Sequence, residues 1–121
     1  MPDESRPTPV TDELSSDYAN NVRFEASVWD LKLIFGEYSS SAPQSVEWHT
    51  SMTVPWAQAK LMLYYLEANV IAHELVSGKI SMPEMMLPPE WDPPAKDSGV
   101  AEGLYERLVE VRNKFLESTK K

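Results

Sequence analysis

Apolar and polar side chains alternate with a period of two in the segment from Tyr18 to Ser27. The apolar face carries Val22, Phe24, Ala26 and Val28. This alternation is typical of a half-buried β-strand. The next apolar set falls on odd numbers and consists of Leu31, Leu33 and Phe35. Because a strand cannot change its buried face without a turn or a bulge, we predict a tight hairpin turn at residues 27–30.

Two more extended segments complete the predicted sheet. Gly36 ends the second strand or marks a bulge within it, since glycine inside a strand pattern is typical of both. After a polar loop at residues 39–45, a third strand is predicted from Val46 to Val54. Its apolar face carries Val46, Trp48, Thr50, Met52 and Val54. We therefore expect a three-stranded antiparallel sheet with one apolar face to cover.

A long helix is predicted from Pro55 to Val76, because proline suits the first helical turn and Gly78 supplies a left-handed cap. Of these 22 residues, 15 are apolar or aromatic, and they form two stripes. The first stripe is Ala59, Leu63, Leu66 and Val70, and the second is Leu61, Tyr64 or Tyr65, Ala68, Ile71 or Ala72, and Leu75. A helix that covers one small sheet needs a single stripe, so the other must meet the C-terminal segment or another subunit.

The last third of the chain begins with a proline-rich stretch. Residues 81–97 hold five of the ten prolines, and apolar residues are interleaved with them: Met82, Met85, Met86, Leu87 and Trp91. We expect an extended strap over the core; the competing interpretation is a proline-rich ligand for an aromatic groove of another protein. A second helix is predicted from about Gly99 to Ser118, with one apolar stripe formed by Leu104, Leu108, Val111 and Phe115.

These patterns predict an α+β fold in four segments. Residues 1–17 contain three prolines and five acidic residues against one arginine, and we expect a disordered acidic tail. Residues 18–80 form the β-β-β-α core domain. Residues 81–97 form the strap, and residues 98–121 form the C-terminal helix.

The charge balance restricts the classes of partner. The chain carries a net charge of −8 and has a pI near 4.7. A nucleic-acid binder needs a basic face, and docking on anionic lipid needs basic residues, so we expect neither partner. We expect neither a signal peptide nor a membrane span, because residues 1–6 lead into no apolar segment and no apolar run is long enough to cross a bilayer. Because the chain has no cysteine, which is compatible with a reducing compartment, we expect a cytoplasmic protein.

Few residues carry the patterns of catalysis or metal binding. His73 and Glu74 are adjacent, but a zincin helix needs a second histidine four residues on, where Ser77 stands. His49 and Glu47 lie two residues apart in the third strand and would form half of an acid–base site, although a solvated strand face is favoured. There is no glycine-rich phosphate loop and no calcium loop. We therefore predict no catalytic residues, no metal and no cofactor.

Large aromatic residues are the richest remaining feature. Trp29, at the predicted hairpin turn, and Trp56, at the helix start, are hard to bury within one chain. Tryptophan is enriched at interfaces. The candidate interface residues are Trp29, Trp56, Leu63, Leu66 and Val70. A candidate pocket between sheet and helix is lined by Trp48, Met52, Tyr64 and Tyr65.

The segment from Tyr18 to Ile80 resembles a family of small bacterial and archaeal proteins known as a domain of unknown function. The matching residues are Tyr18-Ala19-Asn20, the run from Trp29 to Gly36, Val54-Pro55, Ala59-Lys60, Leu63, Asn69, Gly78 and Ile80. The family pattern has serine before the helix-starting proline, where this chain has Val54. The resemblance covers about half of the chain and implies a hairpin, a third strand and a long helix. It implies no substrate, cofactor or catalytic residue.

Two functions remain open from the sequence. The first is a non-enzymatic interaction or structural module that self-associates as a homodimer, with an unknown protein as a further partner. The alternative is a small-molecule-binding protein or weak enzyme that uses the candidate pocket. A ligand site holds a few convergent polar groups in an apolar pocket. The helix offers only tyrosine hydroxyls, Asn69 and His73, which favours the interaction module.

Removal of the acidic tail tests the predicted segment boundaries. A chain that lacks residues 1–16 should melt within a few degrees of the full chain, because a segment without a buried surface contributes little to stability. Thermal unfolding followed by circular dichroism measures this. A large drop in the melting temperature would show that the tail is part of the fold.

Overall fold

The computed structural model describes residues 14, 16–39 and 45–120. The elements are β1 (Asn21–Ala26), β2 (Asp30–Tyr38), β3 (Val46–Pro55), α1 (Trp56–Ser77), a 3-10 turn (Glu84–Met86) and α2 (Leu104–Ser118). An antiparallel three-stranded sheet with two helices confirms the α+β class. The contacts of the chain form two compact units, which divide within α1 between Tyr64 and Tyr65.

The first unit contains a meander in which β2 lies between β1 and β3. The hairpin turn falls at residues 27–30, as predicted, and the Ser27 side chain holds it. The Ser27 hydroxyl accepts hydrogen bonds from the N–H groups of Trp29 (3.1 Å) and Asp30 (3.0 Å), and donates to Asp30 Oδ1 (2.9 Å). A short polar side chain of this kind satisfies turn amides that have no strand partner.

A bulge interrupts the pairing of β2 with β3. Phe35 lies opposite Thr50, but the next residue, Gly36, lies opposite Trp48, so His49 is an extra residue in β3. Of the two predicted alternatives for Gly36, the strand end is wrong, because β2 runs on to Tyr38, and a bulge is present beside Gly36 with its extra residue in β3. The predicted unbroken alternation of β3 is wrong, because one extra residue moves the positions beyond it to the other face. Trp48 therefore lies on the face opposite to Met52.

Gly36 is required at the bulge for steric reasons. A Cβ atom there would lie 2.5 Å from the carbonyl oxygen of Glu47 and 2.9 Å from Cε3 of the Trp48 ring. The Arg23 guanidinium lies 5.1 Å from the centroid of the same ring, which is cation–π geometry. The Trp48 ring therefore packs against Gly36 and beneath Arg23. This face of the sheet, which also carries Ile34, is called the outer face, and the face that carries Phe24 and Leu33 is called the inner face.

The buried apolar side chains of the described residues are Leu33, Ile34 and Val54. Leu33 shares the inner face with Phe24, whereas Ile34 belongs to the outer face. Pro55 is the last residue of β3, opposite Asp30, and α1 begins at Trp56, one residue later than predicted.

In the second unit, α1 ends at Ser77 as its glycine signal predicts. Gly78 has a φ of 90° and donates its N–H to the carbonyl oxygen of Glu74 at 2.9 Å. The Glu74 carboxylate accepts a hydrogen bond from the N–H of Ile80 at 2.9 Å. Both contacts satisfy backbone groups around the helix end.

The strap is tied to α2 through its backbone carbonyls. Arg112 Nε donates to the carbonyl oxygens of Pro88 and Pro89, at 3.1 Å each. Lys79 Nζ, just after α1, donates to the carbonyl oxygen of Ser118 at 3.1 Å. These contacts occupy two of the proline carbonyls that a proline-rich ligand would offer to an aromatic groove.

The second helix begins later than its apolar stripe predicts. It starts at Leu104 after Gly103, whose φ is 82°, rather than at Gly99, whose φ is 78°. A residue with positive φ lies outside a right-handed helix, so residues 99–103 precede α2, with a turn at 102–103 that the Leu104 N–H closes onto the Ala101 carbonyl oxygen at 3.2 Å.

Most of the predicted tail at residues 1–17 lies outside the described residues. Asp17 is an exception, because its carboxylate accepts a hydrogen bond from the Thr50 hydroxyl at 3.2 Å.

Replacement of Gly36 tests the bulge. Gly36→Ala should lower the free energy of unfolding by about 1–3 kcal/mol, because the new methyl group meets backbone that cannot move freely. Urea unfolding measures the loss, with Thr53→Ala, on the exposed surface of β3, as the control. An alanine variant as stable as the wild type would contradict the steric account.

Candidate functional site

An apolar groove lies in the first unit between the inner face of the sheet and the start of α1. It has a volume of about 520 Å³. Its lining residues are Phe24, Leu31, Leu33, Trp56, Ala59, Lys60, Met62 and Leu63. Lys60 is the one charged residue among them, so the groove offers apolar contact and almost no hydrogen bonding.

Strand register and one hydrogen bond position the groove. Phe24 lies directly opposite Leu33, which places both side chains on the same face of the sheet. Trp56 Nε1 donates to the carbonyl oxygen of Ser27 at 2.9 Å. Because Ser27 lies in the hairpin turn, this bond fixes the first turn of α1 beside the end of the hairpin.

Beyond the groove, α1 is open to solvent along its length. None of its 22 residues is buried. Leu63 is 66% exposed and Leu66 is 61% exposed, and both were predicted as interface residues. Val70 and Trp56 are also exposed, and Trp29, in the hairpin turn, is 82% exposed. All five candidate interface residues are therefore accessible in the single chain.

The four residues of the candidate pocket do not come together. The bulge places Trp48 on the outer face of the sheet and Met52 on the inner face. Two side chains on opposite faces cannot line one pocket, so this pairing is wrong. Tyr64 and Tyr65 lie on α1, and both are exposed. The groove described above has a different lining, in which Trp56 and Leu63 were anticipated only as interface residues.

A hydrogen-bonded chain of polar groups surrounds the bulge residue His49. Its Nδ1 lies 2.7 Å from the Thr50 hydroxyl, and its Nε2 lies 3.0 Å from the carbonyl oxygen of Tyr18. A carbonyl oxygen only accepts, so Nε2 carries a hydrogen and donates it. The Thr50 hydroxyl donates onward to Asp17 at 3.2 Å. The chain ties the segment before β1 to the bulge of β3.

This arrangement differs from the acid–base site considered for His49 and Glu47. Glu47 lies opposite Glu37 in the sheet, and the two ring nitrogens of His49 contact Thr50 and Tyr18 instead. Sequence reasoning missed this polar chain, because the extra residue that redirects His49 leaves no mark in the alternation. The contacts give His49 a structural role at the end of the sheet.

Other features of the described residues bear on the class of function. No helix in this part of the chain has the length and apolar character needed to cross a bilayer. The same residues include no group of three His, Cys, Asp or Glu side chains arranged to hold a metal ion. Comparison with models of known families, with curated proteins and with solved structures finds no match. The function is therefore inferred from the geometry of the chain itself.

Removal of the Thr50 hydroxyl tests the structural role of the His49 chain. Thr50→Val keeps the shape and the β-branch but loses both side-chain hydrogen bonds. We expect a loss of about 1 kcal/mol in the free energy of unfolding, and faster exchange of the Asn20 amide, which donates to the carbonyl oxygen of Gly36 at 3.0 Å. Thr50→Ser, which keeps the hydroxyl, is the control and should retain slow exchange. Equal exchange in all three proteins would show that the contacts do not hold the segment.

Proposed function

We propose that this chain is a non-enzymatic interaction module that self-associates as a homodimer through α1 and the adjoining groove. One observation carries the proposal: 15 of the 22 residues of α1 are apolar or aromatic, yet none is buried. Ten of them are large side chains exposed to solvent. Monomeric proteins rarely expose contiguous apolar patches larger than a few hundred Å², and larger patches mark interaction sites.

A second copy of the chain fits this surface better than an unrelated partner. The apolar side chains are distributed along the whole helix, which is about 33 Å long at 1.5 Å per residue. Two-fold symmetry, the commonest symmetry of soluble oligomers, would bring the same helical surface of two copies together, so that each apolar helix covers the other. Stable interfaces bury about 800 Å² on each partner, so the proposed dimer would use the groove as well as the face of α1.

The groove favours contact with another protein surface over selection of a small molecule. Small-molecule sites combine apolar walls with a few placed polar groups that fix the orientation of the ligand. Here Lys60 is the one charged group in the lining. The groove volume of about 520 Å³ nevertheless lies within the range of ligand pockets. A small apolar ligand is therefore the second candidate, and a thermal-shift screen would reveal it.

We also propose a cytoplasmic location for this dimer. The support is the composition: an acidic chain without cysteine needs no oxidising compartment to fold.

The oligomeric state in solution tests the proposed function. Light scattering on the purified chain should give a mass near twice 13.7 kDa. Leu63→Asp should shift the mass to that of the monomer, because the interface would bury an unpaired charge. Gln58→Asp, which adds the same charge on the side of α1 away from Leu63, should remain dimeric.

Circular dichroism separates dissociation from unfolding. Leu63 is 66% exposed in the single chain, so the aspartate variant should keep its helical spectrum. A wild-type mass of 13.7 kDa that is unchanged at high concentration would overturn the proposal. Stable co-purification of a monomer with a different protein would overturn the homodimer in favour of that partner.

A further inference from the structure

Three charged side chains interrupt the apolar surface of α1, and they lie at intervals of seven. They are Lys60, Glu67 and Glu74. A spacing of seven residues is nearly two helical turns, so all three lie on one line along the helix. Glu74 accepts the hydrogen bond from Ile80 described above. Within the described residues, Lys60 and Glu67 have no ion-pair or hydrogen-bond partner.

The line of charges is flanked by apolar side chains on both sides. At 100° per residue, five large residues lie within about 60° of the line through Lys60. They are Trp56, Leu63, Tyr64, Ile71 and Leu75, and all five are exposed. When two such helices pack antiparallel, the cation of each copy lies opposite the anion of the other, within an apolar contact.

We infer that two copies of α1 pack antiparallel along this line, with Lys60 of each copy opposite Glu67 of the other. The two-fold axis then passes between positions 63 and 64. The same axis places Leu63 opposite Tyr64 of the second copy and Trp56 opposite Ile71 of the second copy. This arrangement rests on the proposed homodimer and specifies the surface and the direction of the pairing.

Charge decides against the parallel arrangement. A parallel two-fold pair places Lys60 beside Lys60 and Glu67 beside Glu67, with apolar side chains on both sides. Like charges in a partly desolvated contact repel strongly. The antiparallel pair instead forms two equivalent ion pairs and aligns the two helix dipoles favourably. The two ion pairs also fix the register, because a shift by one turn separates both of them.

Charge reversal tests this inference. Lys60→Glu and Glu67→Lys, each alone, place like charges together in the homodimer, and each should raise the dimer Kd at least about tenfold. The double variant with both changes recreates two ion pairs and should bring Kd back to within about threefold of the wild type. Neither residue lies three or four positions from another charge, so the isolated helix should be unaffected.

A mixture of the two single variants tests the pairing of Lys60 with Glu67 most directly. A Lys60→Glu chain and a Glu67→Lys chain form two ion pairs only with each other, so they should associate preferentially as a heterodimer. Lys96→Glu and Glu102→Lys make the same changes in net charge elsewhere and serve as matched controls. Sedimentation velocity on each protein and on the labelled mixture gives the association constants.

The outcomes separate this inference from the proposed function. A wild-type dimer whose Kd is unchanged by both reversals would overturn the antiparallel pairing and leave the homodimer intact. A dimer that the single reversals weaken and the double variant does not restore would also overturn it, because each charge would then act with a partner other than the one proposed. A wild type that stays monomeric at every concentration would overturn the pairing and the homodimer together.

Discussion

Water is a poor environment for the side chains that α1 presents, and ten large apolar residues of this helix are exposed. Full burial of one such side chain is worth about 1.5–3 kcal/mol, and the net stability of a whole domain is only about 5–15 kcal/mol. A surface of this kind therefore weighs heavily in the free energy of the chain. The sheet uses the start of α1 to form one groove, and the remaining helical surface is available to a second copy.

Two features of the fold, the hairpin turn and the end of α1, can be predicted from residues that are close together in the sequence. The change of apolar phase at Ser27 predicts the hairpin turn, and the Ser27 hydroxyl explains why the turn forms there. Gly78 predicts the end of α1, because a left-handed residue stops the helix. Both signals are short-range, and both are confirmed by the described structure.

The bulge at His49 could not be predicted from the sequence pattern of β3. Sequence alternation in β3 is unbroken, so it predicts that Trp48 and Met52 share a face. The register is set by a partner strand, in which Gly36 makes room for the Trp48 ring and the Glu47 backbone. The bulge depends on a contact between β2 and β3, so it cannot be predicted from the sequence of either strand alone. The candidate pocket failed for this reason, whereas the excess of apolar residues in α1 was predicted from the sequence, although the exposure of both stripes was not.

Amide hydrogen exchange in α1, measured at high and at low protein concentration, tests the central claim most directly. If a second copy covers the helix, the amides of residues 60–71 should exchange slowly at high concentration and faster on dilution below the dimer Kd. The amides of β2 serve as the control, and their exchange rates should depend much less on protein concentration. Exchange in α1 that is the same at every concentration would contradict the account, because the helix would then be stable in water without a partner.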